Sequence, residues 1–184
     1  VLVVEEKSKR VLSPAPLLCP VPVVVVTCGD IDAEKNAITL AWVGVASSEP
    51  PCVTIGVRPT RYSFGLIQRY GDFVINVPGA DQVEAVKYCG SVSGRNEDKF
   101  KGAALTPIPA ERVRAPLIKE FPLNLECKVK SRISLGSHDL FIGEIVEVHA
   151  NSDILTAGEI DLAKLQAVTY FRGKYYPLGG PADK

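Results

Sequence analysis

The chain lacks several features that would by themselves settle its chemistry. No apolar run approaches the roughly 20 residues that a membrane-crossing helix needs; the longest is Val21 to Thr27 with its flanks, and no membrane partner is expected. Two histidines are too few for a multi-histidine metal centre, and five cysteines (Cys19, Cys28, Cys52, Cys89, Cys127) without a CxxC pair fit neither a zinc site nor a disulfide framework. No metal is expected, and the thiols read as reduced. There is no charge of one sign either: twenty-one basic residues balance twenty-one acidic ones, so the summed field attracts neither nucleic-acid phosphates nor an anionic bilayer. A nucleic-acid partner is therefore not expected. The opening "VLVVEEKSKR" does not have the layout of a signal peptide, which makes the cytoplasm the expected location.

What is present suits a folded domain. At 184 residues, 46% apolar and 23% charged, the chain fits one domain, residues 1–184, around one core. "PVPVVVVTC" (Pro20 to Cys28) is a β-branched run bounded by Pro and Gly, as in a strand buried on both faces. "AITLAWVGVAS" and "CVTIGVR" read as the next strands, "PTRYSFGLIQRYG" as a short helix with Thr60 at its N-cap and Gly71 as its stop, and "DFVINV" as a strand. A second helix spans "GADQVEAVKYCG" and ends at Gly90, and "GSVSGRNEDKFKGA" reads as a charged loop. From Leu123 to Leu135 apolar residues hold odd positions, with Asn124, Glu126 and Lys128 on the other face. The pattern resumes after "GSHD", so Asn124 to Ala150 is expected to be a long hairpin, with His149 on its solvent face. Six or seven strands without regular βαβ alternation describe a mainly β fold, an antiparallel barrel with helical insertions. The tail from "YFRGKYYPLGG" onward is expected to fray after an aromatic cluster.

Residues 36 to 67 carry more hydroxyls and bare backbone than burial requires. Thr39, Ser47 and Ser48, the fork of Arg58 and the amides of a helix begun at Thr60 would suit an anionic, planar ligand of nucleotide size, because a helix start offers unpaired N–H groups and a positive dipole end. Arg61 and Ser63 could supplement it. Thr60 and Ser63 could equally be simple caps. Small residues Ala37, Ala41, Gly44 and Ala46 would let a flat ring approach the backbone, and Trp42 would pack on that ring or fill the core.

The fragments "NAITLAW", "SSEPPCVTIGV", "RYSFGLI", "DFVINV", "CGSVSGRNEDKF", "GSHDLFIGEIVEV" and "YFRGKYYPLG" follow one another in an order and spacing that resembles the flavin reductase-like family of FMN-binding split barrels, which includes flavoredoxins and archaeal ferric reductases. The resemblance covers about residues 15–180. It implies a homodimer of six-stranded antiparallel split barrels of Greek-key type, each holding one non-covalent FMN. It also implies that Asn36, Thr39, Leu40, Ala41 and Trp42 line the isoalloxazine edge, that Ser47, Ser48, Arg58, Thr60, Tyr62 and Ser63 hold the ribityl chain and phosphate, and that Lys99 comes close to the flavin or its phosphate.

His138, in the "GSHD" turn, is the residue at which the resemblance places the reduced nicotinamide, so it is the candidate catalytic residue. Read without the family, it is a solvated turn residue. Ser137 stands where the family often has Asp, which removes a carboxylate beside the imidazole. The activity implied is an oxidoreductase passing electrons from NADH or NADPH through FMN to a flavin, ferric iron or a protein. Two alternatives remain: a flavoredoxin-type carrier reduced by a protein partner, and a barrel that binds a ligand other than flavin.

Overall fold

In the computed structural model, residues 8–178 are described; the first seven residues and the Gly/Pro tail expected to fray lie outside them. Seven strands form the main sheet: β1 (Val24–Gly29), β2 (Lys35–Leu40), β3 (Val43–Ser48), β4 (Pro51–Val57), β5 (Asp72–Val77), β6 (Leu123–Ser134) and β7 (Asp139–Ala150). Helix α1 (Tyr62–Tyr70) precedes β5, while α2 (Val83–Ser91) and the four-residue α3 (Lys99–Gly102) lie between β5 and β6. The strand order is β2-β1-β5-β6-β7-β4-β3, antiparallel throughout.

This order forces the sheet to curl. β2 and β3 are its two edges, yet only Ala41 and Trp42 separate them in sequence. Three Cα steps span at most about 11 Å, so the edges must meet, and β2 lies against β4 across the gap. The carbonyl of Trp42 accepts from the Gly56 amide at 2.8 Å, tying the crossing to β4. The result is a split barrel of the expected class with one more strand than six, because the stretch read as a single strand, "AITLAWVGVAS", is broken at Ala41 and Trp42.

β1 is buried along its whole length, as its composition indicates. Val24 and Val26 point into the barrel with Ile55, Phe73, Ile75 and Phe141. Val25 points the other way, beneath Val86, Cys89 and Phe100 of the helical layer. Each such side chain contributes about 1.5–3 kcal/mol on full burial, so one strand anchors both layers.

Three sequence expectations change on the outer face. Asn124 and Glu126, placed on the solvent side by alternation, are buried because residues 107–118 cross over them. Asn124 Nδ2 donates to Asn76 Oδ1 at 2.8 Å, and Glu126 accepts from the amides of Glu111 (2.8 Å) and Arg112 (2.6 Å). His149 is not a free surface residue: its Nε2 lies 2.6 Å from Glu126 Oε1. Asp72 adds two bonds from the amides of Arg114 and Ala115, both 3.2 Å, so two carboxylates fasten the crossing segment through its backbone.

The helices also differ at their ends. α1 stops at Gly71, whose φ of 73° favours glycine and whose amide bonds Ile67 O at 2.9 Å. α2 runs through Gly90 to Ser91. Part of the expected loop is α3, which starts where Asp98 accepts from the amides of Phe100 and Lys101.

Candidate functional site

A cleft opens where the end of β4, the start of α1, the end of α2 and the β6–β7 turn converge, with β2 as its floor. Its cavity volume is about 190 Å³, and it is partly open to solvent. Ten sequence-selected residues line it: Asn36, Thr39, Leu40, Arg58, Thr60, Arg61, Tyr62, Ser63, Lys99 and His138.

The start of α1 is built differently from the sequence expectation. Its N-cap is Arg61, not Thr60, and no side chain caps it. Ser63 does not cap either, because its hydroxyl accepts from Asn36 Nδ2 at 2.8 Å, a bond that joins helix to floor. Of the first-turn amides, that of Phe64 bonds Arg61 O at 3.1 Å, while those of Tyr62 and Ser63 are left without a side-chain cap at the cleft wall. Thr39 Oγ1 donates to Val86 O at 2.5 Å, which docks α2 on β2 and commits that hydroxyl to the fold.

Lys99 is only 4% exposed, and its ammonium donates to Cys89 O at 2.7 Å. Among the described residues no carboxylate lies within ion-pair distance of it. Burial, with the charge of Arg61 acting in the same direction, pulls its pKa below the usual lysine value. The same burial pushes Cys89 up to about 11 and Cys28 to about 12, so both thiols stay protonated and act as small apolar groups.

Arg58, Arg61, Arg95 and Lys99 all line the cleft, and among the described residues no Asp or Glu does. The carboxylate near this rim, Glu34, is held by the Tyr62 hydroxyl and by Arg69 at 3.3 Å. Four cations without a lining acid make a site for an anion.

At the mouth, Trp42 stacks on His138 with ring centroids 4.3 Å apart and a tilt of 46°. Ser137 Oγ lies 2.9 Å from His138 Nδ1. Burial, then the charges of Arg58 and Arg61, lower the His138 pKa, so the ring is held toward its neutral form.

The structure does not gather every candidate. Ala41 belongs to the crossing beside the cleft, outside its lining. Ser47 and Ser48 pair with Cys52 and Pro51, whereas the cleft meets β4 at Gly56. Four residues of strand, about 13 Å, separate those points, so within this chain the two serines stand away from the cleft. The small residues do not form one flat wall, since Ala37 packs under α2 while Gly44 and Ala46 belong to β3.

Gly94 and Arg95 also line the cleft and fell in segments read as loop. A Cβ on Gly94 would sit 2.1 Å from Asn36 Oδ1, so glycine is what allows the loop to lie on the floor. The glycine in "SVSGR" was the available signal, but it is shared by any polar loop.

Residues 17–179 match the flavin reductase like domain. The chain belongs to that family. Among solved structures, this flavin reductase-like chain superimposes on the flavoredoxin of Desulfovibrio vulgaris (Miyazaki F) with a TM-score of 0.89 and 34% identity, covering 96% of this chain and 97% of that one. A flavoredoxin from Methanosarcina acetivorans gives a TM-score of 0.88 at 27% identity, covering 96% and 95%. It is also similar to an NADH:riboflavin 5'-phosphate oxidoreductase from Streptomyces pristinaespiralis, 27% identical over 127 residues, which cover 69% of each chain.

Proposed function

We propose that this protein binds FMN non-covalently in the cleft and works as an oxidoreductase, taking electrons from NADH or NADPH and passing them to a small acceptor. The observation that carries the reading is the cleft itself: four cations with no lining acid, one of them the buried Lys99 lacking a counter-ion, beside an uncapped helix start. A buried ammonium without a counter-ion is costly, and a phosphate or an electron-rich flavin edge would offset that cost.

The residues present fit the group. The α1 amides with Arg58 and Arg61 would hold the phosphate, and β2, with Gly94 set close against Asn36, would form the floor beneath the ring. Bound FMN would supply hydride and single-electron chemistry. The chain's own work is to orient the ring, shield it from water and present His138 at the mouth, backed by Trp42, where a second planar molecule would arrive. A second copy of the chain would cover exposed apolar side chains such as Val45, Leu135 and Val148, in keeping with a homodimer.

The test is an absorption spectrum during FMN titration, followed by anaerobic NADH and NADPH. Flavin bands that bleach on adding either nucleotide support the reductase. The likeness to flavoredoxins favours a second reading, an electron carrier reduced by a protein partner; bands that appear but persist with both nucleotides would select it. A protein that stays colourless with excess FMN would show that the cleft takes some other ligand.

A further inference from the structure

The entrance of the cleft is formed by one indole and one imidazole, and the free charges around them are of one sign. Trp42 packs on Gly56 of β4, where a Cβ would come within 3.4 Å of Trp42 Cβ and 3.8 Å of its ring, and it packs on His138. Even so the indole is 47% exposed, so a face of it is open to a second molecule.

The charges that act on the His138 ring are those of Arg58 and Arg61, both exposed. The carboxylate next in sequence, Asp139, is turned away: it is buried, accepts from Ser134 Oγ at 3.0 Å and pairs with Arg132 at 3.5 Å. Glu34, the other acid near the rim, is held by Tyr62 and Arg69. Ser137, with its Oγ 2.9 Å from His138 Nδ1, brings a hydroxyl to the ring and no charge. Among the described residues the mouth thus has free cations and no acid without a partner.

A phosphate in the cleft would not cancel this field. Four cations line the cleft, Arg58, Arg61, Arg95 and Lys99, whereas a phosphate monoester carries about 1.5 to 2 negative charges at pH 7. About two positive charges remain when the cleft is filled, and its low-dielectric walls focus their field on the opening.

We propose that the mouth at Trp42 and His138 is an anion-selective docking place, and that the acceptor received there is a small molecule of net negative charge. This rests on the FMN reading above and narrows its acceptor. A neutral or cationic molecule gains nothing from Arg58 and Arg61, whereas an anion is drawn to the exposed indole beside them. Ser137 is the position that sets the selectivity, because an acid there would put the opposite charge against the imidazole.

The experiment reads the charge at the mouth directly, since Trp42 is the chain's one tryptophan. FMN-loaded protein at pH 8 is quenched with iodide, caesium and acrylamide at low ionic strength. Relative to free N-acetyltryptophanamide, iodide is expected to quench at least about threefold better than caesium, with the gap closing as salt is added. Two compact, redox-inert probes of opposite charge, hexacyanocobaltate(III) and hexaamminecobalt(III), are then titrated calorimetrically into the loaded protein, and only the trianion is expected to bind. Ser137→Asp should lower its affinity about 3- to 10-fold and Ser137→Lys raise it by a similar factor, the effect of one charge about 6 to 8 Å from three in water. FMN affinity should stay within about twofold in both, because Ser137 lies outside the cleft lining. Equal quenching by iodide and caesium overturns the proposal and leaves the FMN reading standing, as do trianion affinities that ignore both substitutions or move the same way in both. A chain that takes up no FMN shows no flavin band, and overturns the FMN reading and the proposal together.

Discussion

Asn36 Nδ2 and Ser63 Oγ are 2.8 Å apart, and this bond is where the floor of the cleft meets the first turn of α1. Both residues are buried, at 3% and 1% exposure, so removing the hydroxyl leaves an amide donor without its partner. Ser63→Ala is expected to destabilise the protein by about 1–3 kcal/mol and to weaken FMN binding together with it. Denaturant unfolding and FMN titration on the same samples check this. Full stability with lost binding would mean that the hydroxyl serves the ligand alone.

Lys99 offers the opposite trade. Replacing the buried ammonium by an apolar chain, Lys99→Met, is expected to stabilise the ligand-free protein by about 1 kcal/mol or more and to reduce FMN affinity at least about 10-fold. The pH dependence follows from its lowered pKa. Between the folded value and the ordinary 10.5 the unfolded chain binds the extra proton, so stability rises with pH through that window. The melting-temperature advantage of the variant should accordingly be present at neutral pH and shrink toward pH 10.5. An advantage that is constant with pH would place its origin in packing.

Glu126 should give an acid-side signature. Burial raises its pKa, but the bonds from the Glu111 amide, His149 and the Arg112 amide outweigh that and leave it below the ordinary 4.5. A carboxylate with a depressed folded pKa contributes stability that is present above the unfolded value and is lost as pH falls toward the folded one. Glu126→Gln is expected to cost about 1–3 kcal/mol at pH 7 and to flatten the decline below pH 4.5. Urea midpoints measured from pH 7 to pH 3 would test both parts.

The stack of Trp42 on His138 provides an optical reading of the mouth. The chain has one tryptophan, and a protonated imidazole in contact quenches indole emission. Fluorescence followed against pH should show a transition centred below 6.5, in line with the lowered His138 pKa. The transition should vanish in His138→Gln and move upward in Arg58→Gln, which removes one of the charges disfavouring the imidazolium. A midpoint that ignores Arg58 would contradict the electrostatic account.

Much of the fold was legible because it rests on local patterns. The β-branched run of β1, the glycine stop of α1 and the long hairpin are written in residues close together in sequence. The burial of Asn124 and Glu126 was not, because a segment from residues 107–118 covers them and alternation along β6 carries no record of it. The split at Ala41 and Trp42 escaped for the same reason: both flanks favour strand, and only the barrel's closure bends them apart. In the site, Arg58, Ser63, Lys99 and His138 lay in fragments that carry the family resemblance; Arg95 shares its fragment with Lys99 but was not singled out, because such a charged stretch ordinarily forms a solvated loop. Ser47 and Ser48 were selected for their hydroxyls, and their pairing with Cys52 and Pro51, which sets them apart from the cleft of this chain, is not written in their local sequence.

Because the chain itself staples the first edge of the sheet to the last through Ala41 and Trp42, the barrel has a seam made of covalent bonds where the other strand contacts are hydrogen-bonded ladders. A circular permutation opened between these two residues would keep the ladders of all seven strands and lose only the seam. Since Trp42 also stands against His138 at the entrance, such a permutant would separate folding from ligand access: a barrel still assembled, with a doorway no longer hinged to its frame.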